Sequence, residues 1–327
     1  MIEYNDIEDA SKRIAGKAFI TPLLEAQLLN KKISGRVLFK AESLQITGSF
    51  KFRGAFNKLS ILHETTNLKG VVAYSSGNHA QGVAAAAEYF KVPSVIVMPI
   101  DAPSIKLENT RALGSEVILY DRYKESREKI GKKLAESRKL SLVKPYDDYD
   151  IIAGQGTLGR ETALQCKELN VIPDQIICPC GGGGLISGTA IALQHYFPGL
   201  KVWAAEPENY DDTTRSLVAG ERISNNTNTP SICDSIVTPI PGELTFPIMQ
   251  ERLAGGKVVN ESNIMEAMID IMKYLKLIVE PGGSVGLAAI LAGLLDSRDK
   301  TTLVILSGGN ISLEMLSKLS INKSNYN

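Results

Sequence analysis

Residues 70–99 of this chain read GVVAYSSGNHAQGVAAAAEYFKVPSVIVMP. The apolar run GVVAY predicts a strand, and the alanine-rich segment after the glycine turn predicts a helix. The run VPSVIVMP predicts a second strand, and its fully apolar part VIVMP is typical of a strand covered on both faces. A strand, a helix and a strand in this order indicate a βαβ unit, whose two strands lie parallel in one sheet.

The same alternation continues along the rest of the chain. Further strands are predicted in RVLFKAE, SEVILY, SLVKPY, DQIICPC, KVWAAEP and TTLVILSGG. Further helices are predicted in GSFKFRGAFNKLSIL, IKLENTRALG, YKESREKIGKKLAESRK, IAGQGTLGRETALQCKEL, GGGGLISGTAIALQHYF and SVGLAAILAGLL. We interpret residues 208–241 as a long surface loop or irregular connection, and SNIMEAMIDIMKYL as a helix with Ser262 as its N-cap.

Two sets of alternating strands and helices predict an α/β protein with two parallel-sheet domains. We expect a large domain made of residues 1–62 and 146–327 and a small domain made of residues 63–145. Ligands of open α/β sheets bind beyond the carboxyl ends of the strands, so we expect a binding cleft between the two domains.

The charge balance narrows the class of protein. Lysine and arginine together number 36, and so do aspartate and glutamate. A nucleic-acid protein or a polybasic membrane-surface protein would usually carry a basic surplus. The apolar run LAAILAGLL is interrupted by Gly293 and is too short to span a bilayer. The acidic N-terminus MIEYNDIEDA has no apolar signal segment, so we expect a cytoplasmic protein without nucleic-acid or membrane partners.

The cysteines do not predict a metal site. Cys178 and Cys180 form the sequence CPC at the end of a predicted strand. A zinc site would need a second close pair of ligands, which the sequence does not offer. We therefore expect buried, reduced thiols.

The stretch GSFKFRG, residues 48–54, places Lys51 between Phe50 and Phe52. Removing water from an ammonium group lowers its pKa, so this setting favours a partly neutral amine. Such an amine can form a Schiff base with an aldehyde. The alternative is a lysine beside a buried pair of phenylalanines at the start of a helix.

The stretch GGGGL, residues 181–185, lies between a predicted strand and a predicted helix. Glycines let backbone N–H groups converge on an anion, and the helix N-terminus adds its dipole, so a phosphate is the expected ligand. Glu206 ends the next strand, as in a dinucleotide site, but the spacing G-x-G-x-x-G is absent, and no GK[ST] follows. A smaller phosphorylated cofactor fits better, and the alternative is a tight turn without a ligand.

Two further turns follow predicted strands. Backbone N–H groups in SSGNHAQG, residues 75–82, can hold a carboxylate at the start of a helix. His79 taken alone can also be a structural histidine. The stretch SGGN, residues 307–310, places Ser307 at the end of the last strand.

These motifs together resemble a known family. SFKFRGA, SSGNHAQG, AGQGT, GGGGLISG and LSGGN occur in the order and spacing of the fold-type II pyridoxal-phosphate enzymes, in the serine/threonine dehydratase and serine racemase branch. The resemblance extends from about Tyr4 to Glu314. It implies a tryptophan synthase beta-like fold, a short form without a regulatory domain, a cofactor bound by the large domain, and a homodimer.

The resemblance assigns a role to each motif. It implies that Lys51 carries pyridoxal 5'-phosphate as a Schiff base and that Phe50 packs against the cofactor. Asn78 would bind the ring hydroxyl, and Ser307 the pyridine nitrogen. The phosphate would lie on Gly181, Gly182, Gly183, Gly184 and Leu185. The carboxylate of an amino-acid substrate would lie on Ser75, Ser76, Asn78 and His79.

The implied reaction is deaminating dehydration of L-serine or L-threonine to a 2-oxo acid and ammonia, with serine racemase activity. A neutral Ser307 weakens the electron sink, which favours prompt loss of the β-hydroxyl. Ser76 and Arg127 match the racemases, in which Ser76 would face Lys51 across the substrate, whereas Tyr146 matches the dehydratases. Ser235 departs from the family, which often has glycine there, near the cofactor.

The stretch EPENYDD, residues 206–212, resembles the metal loop of the racemases. The implied ligands are Glu206, the Tyr210 carbonyl and Asp212. Oxygen ligands with water suit Mg²⁺, with Ca²⁺ or Mn²⁺ as alternatives. The alternative is an acidic, solvated loop after a strand.

Three other functions remain open from the sequence. Arg127 could pair with a second carboxylate, which would indicate 3-hydroxyaspartate dehydration. A nicotinamide oxidoreductase could use the glycine loop with Glu206. A non-catalytic amino-acid-binding protein is the third, although Lys51, Ser76 and Ser307 together argue against it.

Overall fold

The structure is a computed structural model that describes residues 2–75, 77–226 and 229–322. The strands, in chain order, are β1 (Leu23–Glu25), β2 (Arg36–Ala41), β3 (Val71–Tyr74), β4 (Ser94–Pro99), β5 (Glu116–Tyr120), β6 (Ser141–Leu142), β7 (Gln175–Pro179), β8 (Lys201–Pro207), β9 (Leu253–Val259) and β10 (Thr301–Leu306). The helices are α1 (Tyr4–Ile14), α2 (Gln27–Ile33), α3 (Lys51–Thr65), α4 (Asn78–Phe90), α5 (Ser104–Ala112), α6 (Arg127–Arg138), α7 (Tyr149–Glu168), α8 (Gly184–Tyr196), α9 (Asp212–Ala219), α10 (Thr245–Arg252), α11 (Glu261–Asp270), α12 (Pro281–Leu291) and α13 (Leu313–Asn322).

The larger sheet of the described chain has six strands in the order β1-β2-β10-β7-β8-β9. All neighbours in it are parallel except β1, which pairs antiparallel with β2. Its apolar strands are buried between helices on both faces, as parallel sheets require. The last strand, β10, lies between β2 and β7, so strands from both ends of the chain meet at the centre of this sheet.

The smaller sheet has four parallel strands in the order β5-β4-β3-β6. All four lie between Val71 and Leu142. Helix α3 packs its apolar side chains into the same core as β3 and α4, so it connects the two sheets. The two parallel-sheet units confirm the predicted fold class, while the bounds expected at residues 62/63 and 145/146 stay a prediction.

A buried charge network fixes the start of α3. Arg53 donates to both carboxylate oxygens of Glu42, at 2.7 and 2.8 Å, and to Glu161 of α7 at 3.0 Å. Lys40 of β2 donates to the same Glu161. Because both cations and both carboxylates are largely removed from water, loss of one partner would leave a buried unpaired charge. The network therefore anchors α3 two residues beyond Lys51.

Several local predictions differ from the structure. The N-cap of α11 is Asn260, whose side chain accepts from the Asn263 amide at 2.9 Å, so the assignment of Ser262 was wrong. The connection expected at residues 208–241 contains α9, which begins inside the predicted loop. Strand β6 is only two residues long. The four cysteines are buried free thiols, as expected.

Candidate active site

A pocket lies between the two sheets and collects most of the predicted site residues. Its walls come from the start of α3, the β3–α4 turn, the start of α6, the β7–α8 turn and the end of β10. The predicted residues that line it are Phe50, Lys51, Ser75, Asn78, His79, Arg127, Gly181, Gly182, Gly183, Gly184, Leu185 and Ser307. Ser76 lies outside the described residues, and Glu206, Tyr210 and Asp212 do not line this pocket.

Lys51 is the first residue of α3, and its position is set by the segment before it. The left-handed backbone of Gly48, at φ +69°, turns the chain, and the Phe50 amide donates to the Ser307 carbonyl at 3.1 Å. The Lys51 amine donates to the Pro145 carbonyl at 2.7 Å and lies 5.1 Å from the centre of the Phe50 ring. Burial, followed by the charge of Arg127, lowers the pKa of Lys51 to about 8. A fraction of this amine is therefore neutral near pH 7.

The N-terminus of α4 forms the wall beside Lys51. Its first helical residues, Asn78 and His79, present backbone N–H groups that have no partner within the helix. The His79 ring lies close to the Val143 carbonyl, with 3.1 Å between Nε2 and oxygen, so Nε2 donates and Nδ1 is left as an acceptor. Burial and the Lys51 charge lower the pKa of His79 to about 3. A neutral ring of this tautomer cannot donate from Nδ1, so His79 would hold a carboxylate through its backbone.

The glycine loop before α8 is shaped by its neighbours. Gly183 has φ +92°, and a Cβ there would lie 2.7 Å from the Met249 side chain. A Cβ on Gly182 would penetrate the ring of Tyr146 at 2.3 Å. The Thr245 hydroxyl donates to the Gly182 carbonyl at 2.6 Å and so fixes this part of the loop. The loop leads into the N-terminus of α8, where backbone N–H groups without a partner in the helix can hold an anion.

Asn78 lies beside Glu280, a buried carboxylate that the sequence did not indicate. The Asn78 amide donates to Oε1 of Glu280 at 2.5 Å, and the Glu280 amide donates to the Gly308 carbonyl at 3.0 Å. The same Asn78 accepts from Asn310 at 2.8 Å. These contacts fix the orientation of the Asn78 amide in the pocket.

Arg127 begins α6 and reaches the pocket from the smaller sheet. Its guanidinium lies 5.6 Å from the centre of the Tyr74 ring and donates to Glu128 at 2.8 Å. Burial raises the pKa of Tyr146 to about 12, although the Arg127 charge opposes that rise. Arg127 therefore supplies a positive charge to the wall that faces Tyr146 and Lys51.

The predicted metal loop forms a separate cluster. Glu206 accepts from the amides of Thr213 and Thr214, at 2.8 and 2.7 Å, and burial with repulsion by Asp212 raises its pKa to about 8. Oδ2 of Asp212 is buried without a hydrogen bond in the described part of the chain. Within those same residues no group of three or more His, Cys, Asp or Glu side chains could hold a metal ion. A cation here would depend on two carboxylates and a carbonyl.

Four charged residues that line the pocket escaped the sequence analysis, namely Lys106, Arg122, Asp234 and Glu280. Lys106 of α5, almost fully buried, forms an ion pair with Asp234 at 2.6 Å and thereby joins the smaller sheet to the connection before α10. A signal existed for Glu280, because the proline after it predicts a helix N-terminus and places a carboxylate at that end. Lys106 carried no signal, because it lies in a helix that reads as amphipathic and solvated.

The whole chain was compared with known proteins. Residues 14–308 match the family model described as "Pyridoxal-phosphate dependent enzyme". The chain belongs to this pyridoxal-phosphate dependent enzyme family. It is 39% identical to L-threo-3-hydroxyaspartate ammonia-lyase of Saccharomyces cerevisiae, over 97% of this chain and 95% of that protein. It is 38% identical to L-threonine ammonia-lyase of Thermotoga maritima, over 99% of this chain and 79% of that protein.

Solved structures give the same family and fold. Maize serine racemase superposes with a TM-score of 0.91 at 35% identity, covering 99% of this chain and 98% of that one. The pocket of the present chain fits pyridoxal phosphate. Among the buried polar atoms that line it, His79 Nδ1 and Thr238 Oγ1 have no hydrogen bond within the described residues. Together with the glycine loop, these atoms provide the donors and acceptors that a pyridine, a hydroxyl and a phosphate need.

None of the helices that the structure describes is both long and apolar enough to cross a membrane.

Proposed function

We propose that this enzyme catalyses the deaminating dehydration of a β-hydroxy amino acid, L-serine or L-threonine, to a 2-oxo acid and ammonia, and that it racemises serine. The observation that carries the proposal is Lys51. Its amine is desolvated and has a pKa of about 8. It shares one pocket with a glycine loop and a helix N-terminus. Lysines of this kind are both nucleophiles toward carbonyls and bases near neutral pH.

The pocket residues divide the work of the reaction. When bound, pyridoxal phosphate supplies an aldehyde and an electron sink for charge at the substrate Cα. Gly181 to Gly184 and Leu185 would hold its phosphate, Asn78 its hydroxyl and Ser307 its pyridine nitrogen. Backbone N–H groups at the start of α4, with Ser75, would hold the substrate carboxylate.

Lys51 would then act as the base. Its amine, once free, removes the proton from the substrate Cα, and loss of the β-hydroxyl follows. The Pro145 carbonyl, 2.7 Å from Nζ, orients the amine without neutralising it. Because Phe50 lies against the amine, water is kept from the proton transfer.

Racemisation needs a second acid on the opposite face of the substrate. We propose that Ser76 supplies it, on the family resemblance of SSGNH. A hydroxyl is a poor acid in water, so it must be positioned and desolvated to donate a proton. Ser76 to Ala exchange therefore separates the two activities, as argued below.

A second candidate is dehydration of 3-hydroxyaspartate. The specific observation in its favour is the Arg127 guanidinium, which lines the pocket on the side of the smaller sheet. Arginine binds a carboxylate with two parallel hydrogen bonds, so it could hold the β-carboxylate of that substrate. Yeast L-threo-3-hydroxyaspartate ammonia-lyase is among the relatives of this chain.

We also propose that Glu206, the Tyr210 carbonyl and Asp212 bind Mg²⁺, or Ca²⁺ or Mn²⁺. Burial raises the pKa of Glu206 to about 8 and that of Asp212 to about 7, and the Asp212 charge adds to the rise at Glu206, so a cation that neutralises these carboxylates would stabilise them. The unpaired Oδ2 of Asp212 supports this site. The Asn225 amide, which donates to Oδ1 at 2.5 Å, orients that carboxylate as outer partners of metal ligands do.

A homodimer in the cytoplasm completes the proposal. Phe19, Ile20, Leu44, Ile278 and Leu313 are large apolar side chains that are exposed in the single chain. The segments that carry them adjoin: Gln45 exchanges hydrogen bonds with the Phe19 backbone, and a Cβ on Gly309 would lie 2.8 Å from the Ile278 carbonyl. A second copy that covers these side chains would remove apolar surface from water.

A substrate panel tests the proposal. Purified enzyme is incubated with both enantiomers of serine and threonine and with L-threo-3-hydroxyaspartate, and the 2-oxo acid, ammonia and stereochemical inversion are measured. Highest kcat/KM on serine or threonine supports the first candidate, and highest kcat/KM on hydroxyaspartate replaces it with the second. Borohydride reduction and peptide mapping should label Lys51, and a label on another lysine would refute the assignment.

A further inference from the structure

Ser235 is a pocket residue to which the proposed reaction assigns no role. It lies in the connection between α9 and α10, directly after Asp234, and lines the pocket. Its hydroxyl oxygen is buried and has no hydrogen bond among the described residues. A buried hydroxyl without a partner destabilises the folded protein, so a position that carries one calls for a ligand or a neighbour as its reason.

The neighbour is Glu280. Its Oε1 accepts from Asn78, whereas its Oε2 is buried without a hydrogen bond in the described part of the chain. The Ser235 hydroxyl is close enough to lower the pKa of this carboxyl. A small rotation of either side chain would therefore satisfy both unpaired atoms with one hydrogen bond.

Gly282 provides the space for the Ser235 side chain. A Cβ on Gly282 would lie only 2.3 Å from Ser235 Oγ, so a side chain there would force the hydroxyl out of its present position. Serine at position 235 and glycine at position 282 are therefore complementary. The Ser235 side chain fills the space beside Glu280 that a side chain at position 282 would need. Glu280 itself lies just before the first turn of α12.

We propose that Ser235 is a positioning residue whose hydroxyl donates to Oε2 of Glu280 and keeps that carboxylate as the acceptor that orients Asn78. The inference rests on the proposed function, in which Asn78 binds the cofactor hydroxyl. Ser235 touches neither the substrate Cα nor the amine of Lys51 in this role. It acts through two residues, Glu280 and Asn78.

The charged surroundings of Glu280 fix the sign of the pH effect. Burial raises the pKa of Glu280 to about 7, Lys106 lowers it, Asp234 raises it, and the Ser235 hydroxyl lowers it. Lys51 and Cys233 also interact with this carboxyl. Removing the hydroxyl leaves Lys106 as the main stabilising partner, so Glu280 takes up its proton at a higher pH. The acid limb of the activity profile should then move to higher pH.

The first test compares wild-type holoenzyme with Ser235→Ala. We expect kcat to fall by about tenfold at pH 7, as for loss of one oriented hydrogen bond, with KM for the amino acid little changed and the acid limb moved upward. Ser43→Ala is the control, because Ser43 also has a buried unpaired hydroxyl but does not line the pocket. Wild-type kcat and an unmoved acid limb in Ser235→Ala overturn the inference.

The second test relocates the hydroxyl and does not depend on activity. The melting temperature is measured for holoenzyme carrying Ser235→Gly, Gly282→Ser, or both. Gly282→Ser alone should lower the melting temperature through the clash, and the double variant should recover most of that loss. The absorbance spectrum of bound cofactor should be closer to wild type in the double variant than in Ser235→Gly. Strictly additive effects refute the complementarity. An inactive wild type would refute the proposed function, and this swap would still decide the role of Ser235.

Discussion

Burial makes Lys51 a partly neutral amine near pH 7. Its two phenylalanine neighbours and the glycine turn predicted a desolvated amine. In the structure the pKa of Lys51 is lowered to about 8, and burial is the main cause. The contribution of Arg127 could not be predicted physically, because 76 positions separate the two residues and only the packing of α6 on β3 brings them together. Charge interactions across the pocket depend on such packing.

The pH dependence of Lys51 gives the first prediction. Apoprotein is mixed with pyridoxal phosphate at a series of pH values, and the rate of cofactor capture is measured by absorbance. Only the neutral amine reacts, so the rate should rise with a midpoint near pH 8 rather than near 10.5. Arg127→Met removes a positive charge that lowers the pKa, so its midpoint should move upward. Arg122→Met, at the exposed rim, is the control, and identical midpoints for all three proteins would contradict the prediction.

The proposed acid Ser76 gives the second prediction. In Ser76→Ala, conversion of L-serine to D-serine and elimination from D-serine should be abolished, because both use the face opposite Lys51. Pyruvate formation from L-serine should fall only about tenfold, or roughly 1.4 kcal/mol of barrier. The four rates are measured in wild type and variant. A parallel loss of all four would indicate that Ser76 holds the carboxylate instead.

At the scale of elements, turns were predicted better than connections. The glycine loop before α8 was identified from GGGGL because few other sequences permit φ +92° beside a packed Met249. Strand β9 was missed because LAGGKVV contains two glycines and its burial alternates weakly. Asn260 was missed as the N-cap of α11 because two capping residues, Asn260 and Ser262, stand close together, and propensity does not choose between them.

The glycine loop gives the third prediction. Gly183→Ala imposes a left-handed backbone on alanine, at about 1–2 kcal/mol, and pushes Cβ toward Met249. The dissociation constant for pyridoxal phosphate should rise at least tenfold, and the melting temperature should fall. Gly199→Ala is the matched control, since a Cβ there meets nothing within 4 Å. The dissociation constants of both variants are measured by cofactor titration of apoprotein. Equal affinities would show that the loop tolerates a side chain.

The N-cap gives the fourth prediction. Asn260→Ala should destabilise the protein by about 1 kcal/mol, because the Asn263 amide loses its acceptor. Ser262→Ala should change stability by a few tenths at most. The free energy of unfolding is measured by urea titration of both variants. The reverse ranking would restore the assignment made from sequence.

At the scale of the whole molecule, the family motifs placed a pocket that no single stretch defines. Lys51, Asn78, Gly182 and Ser307 come from four distant parts of the chain and meet because parallel strands end at one edge of each sheet. What the sequence did not show is the polar support behind them. The Lys106–Asp234 ion pair and Glu280 depend on how the two sheets face each other, and no local pattern records that relation.

The metal loop gives the fifth prediction. Treatment with a chelator should lower the melting temperature, and Mg²⁺ should restore it, because a ligand that binds only the folded state stabilises it by about 2.7 kcal/mol at a hundred times its dissociation constant. Asp212→Asn should abolish that response, whereas Asp211→Asn, which removes the same charge next door, should keep it. A melting temperature that ignores chelator, with no ion found by elemental analysis, would exclude this site.

The central place of β10 has a consequence for synthesis on the ribosome. When the first 300 residues have been made, β2 and β7 each present an unpaired edge, because the strand that separates them has not yet emerged. Exposed edges of apolar strands invite pairing with other chains. Ser307 follows that strand directly, so the nascent protein completes its binding pocket in the same event that closes its largest sheet. A chain released before β10 is made would lack a central strand of its larger sheet rather than an edge strand.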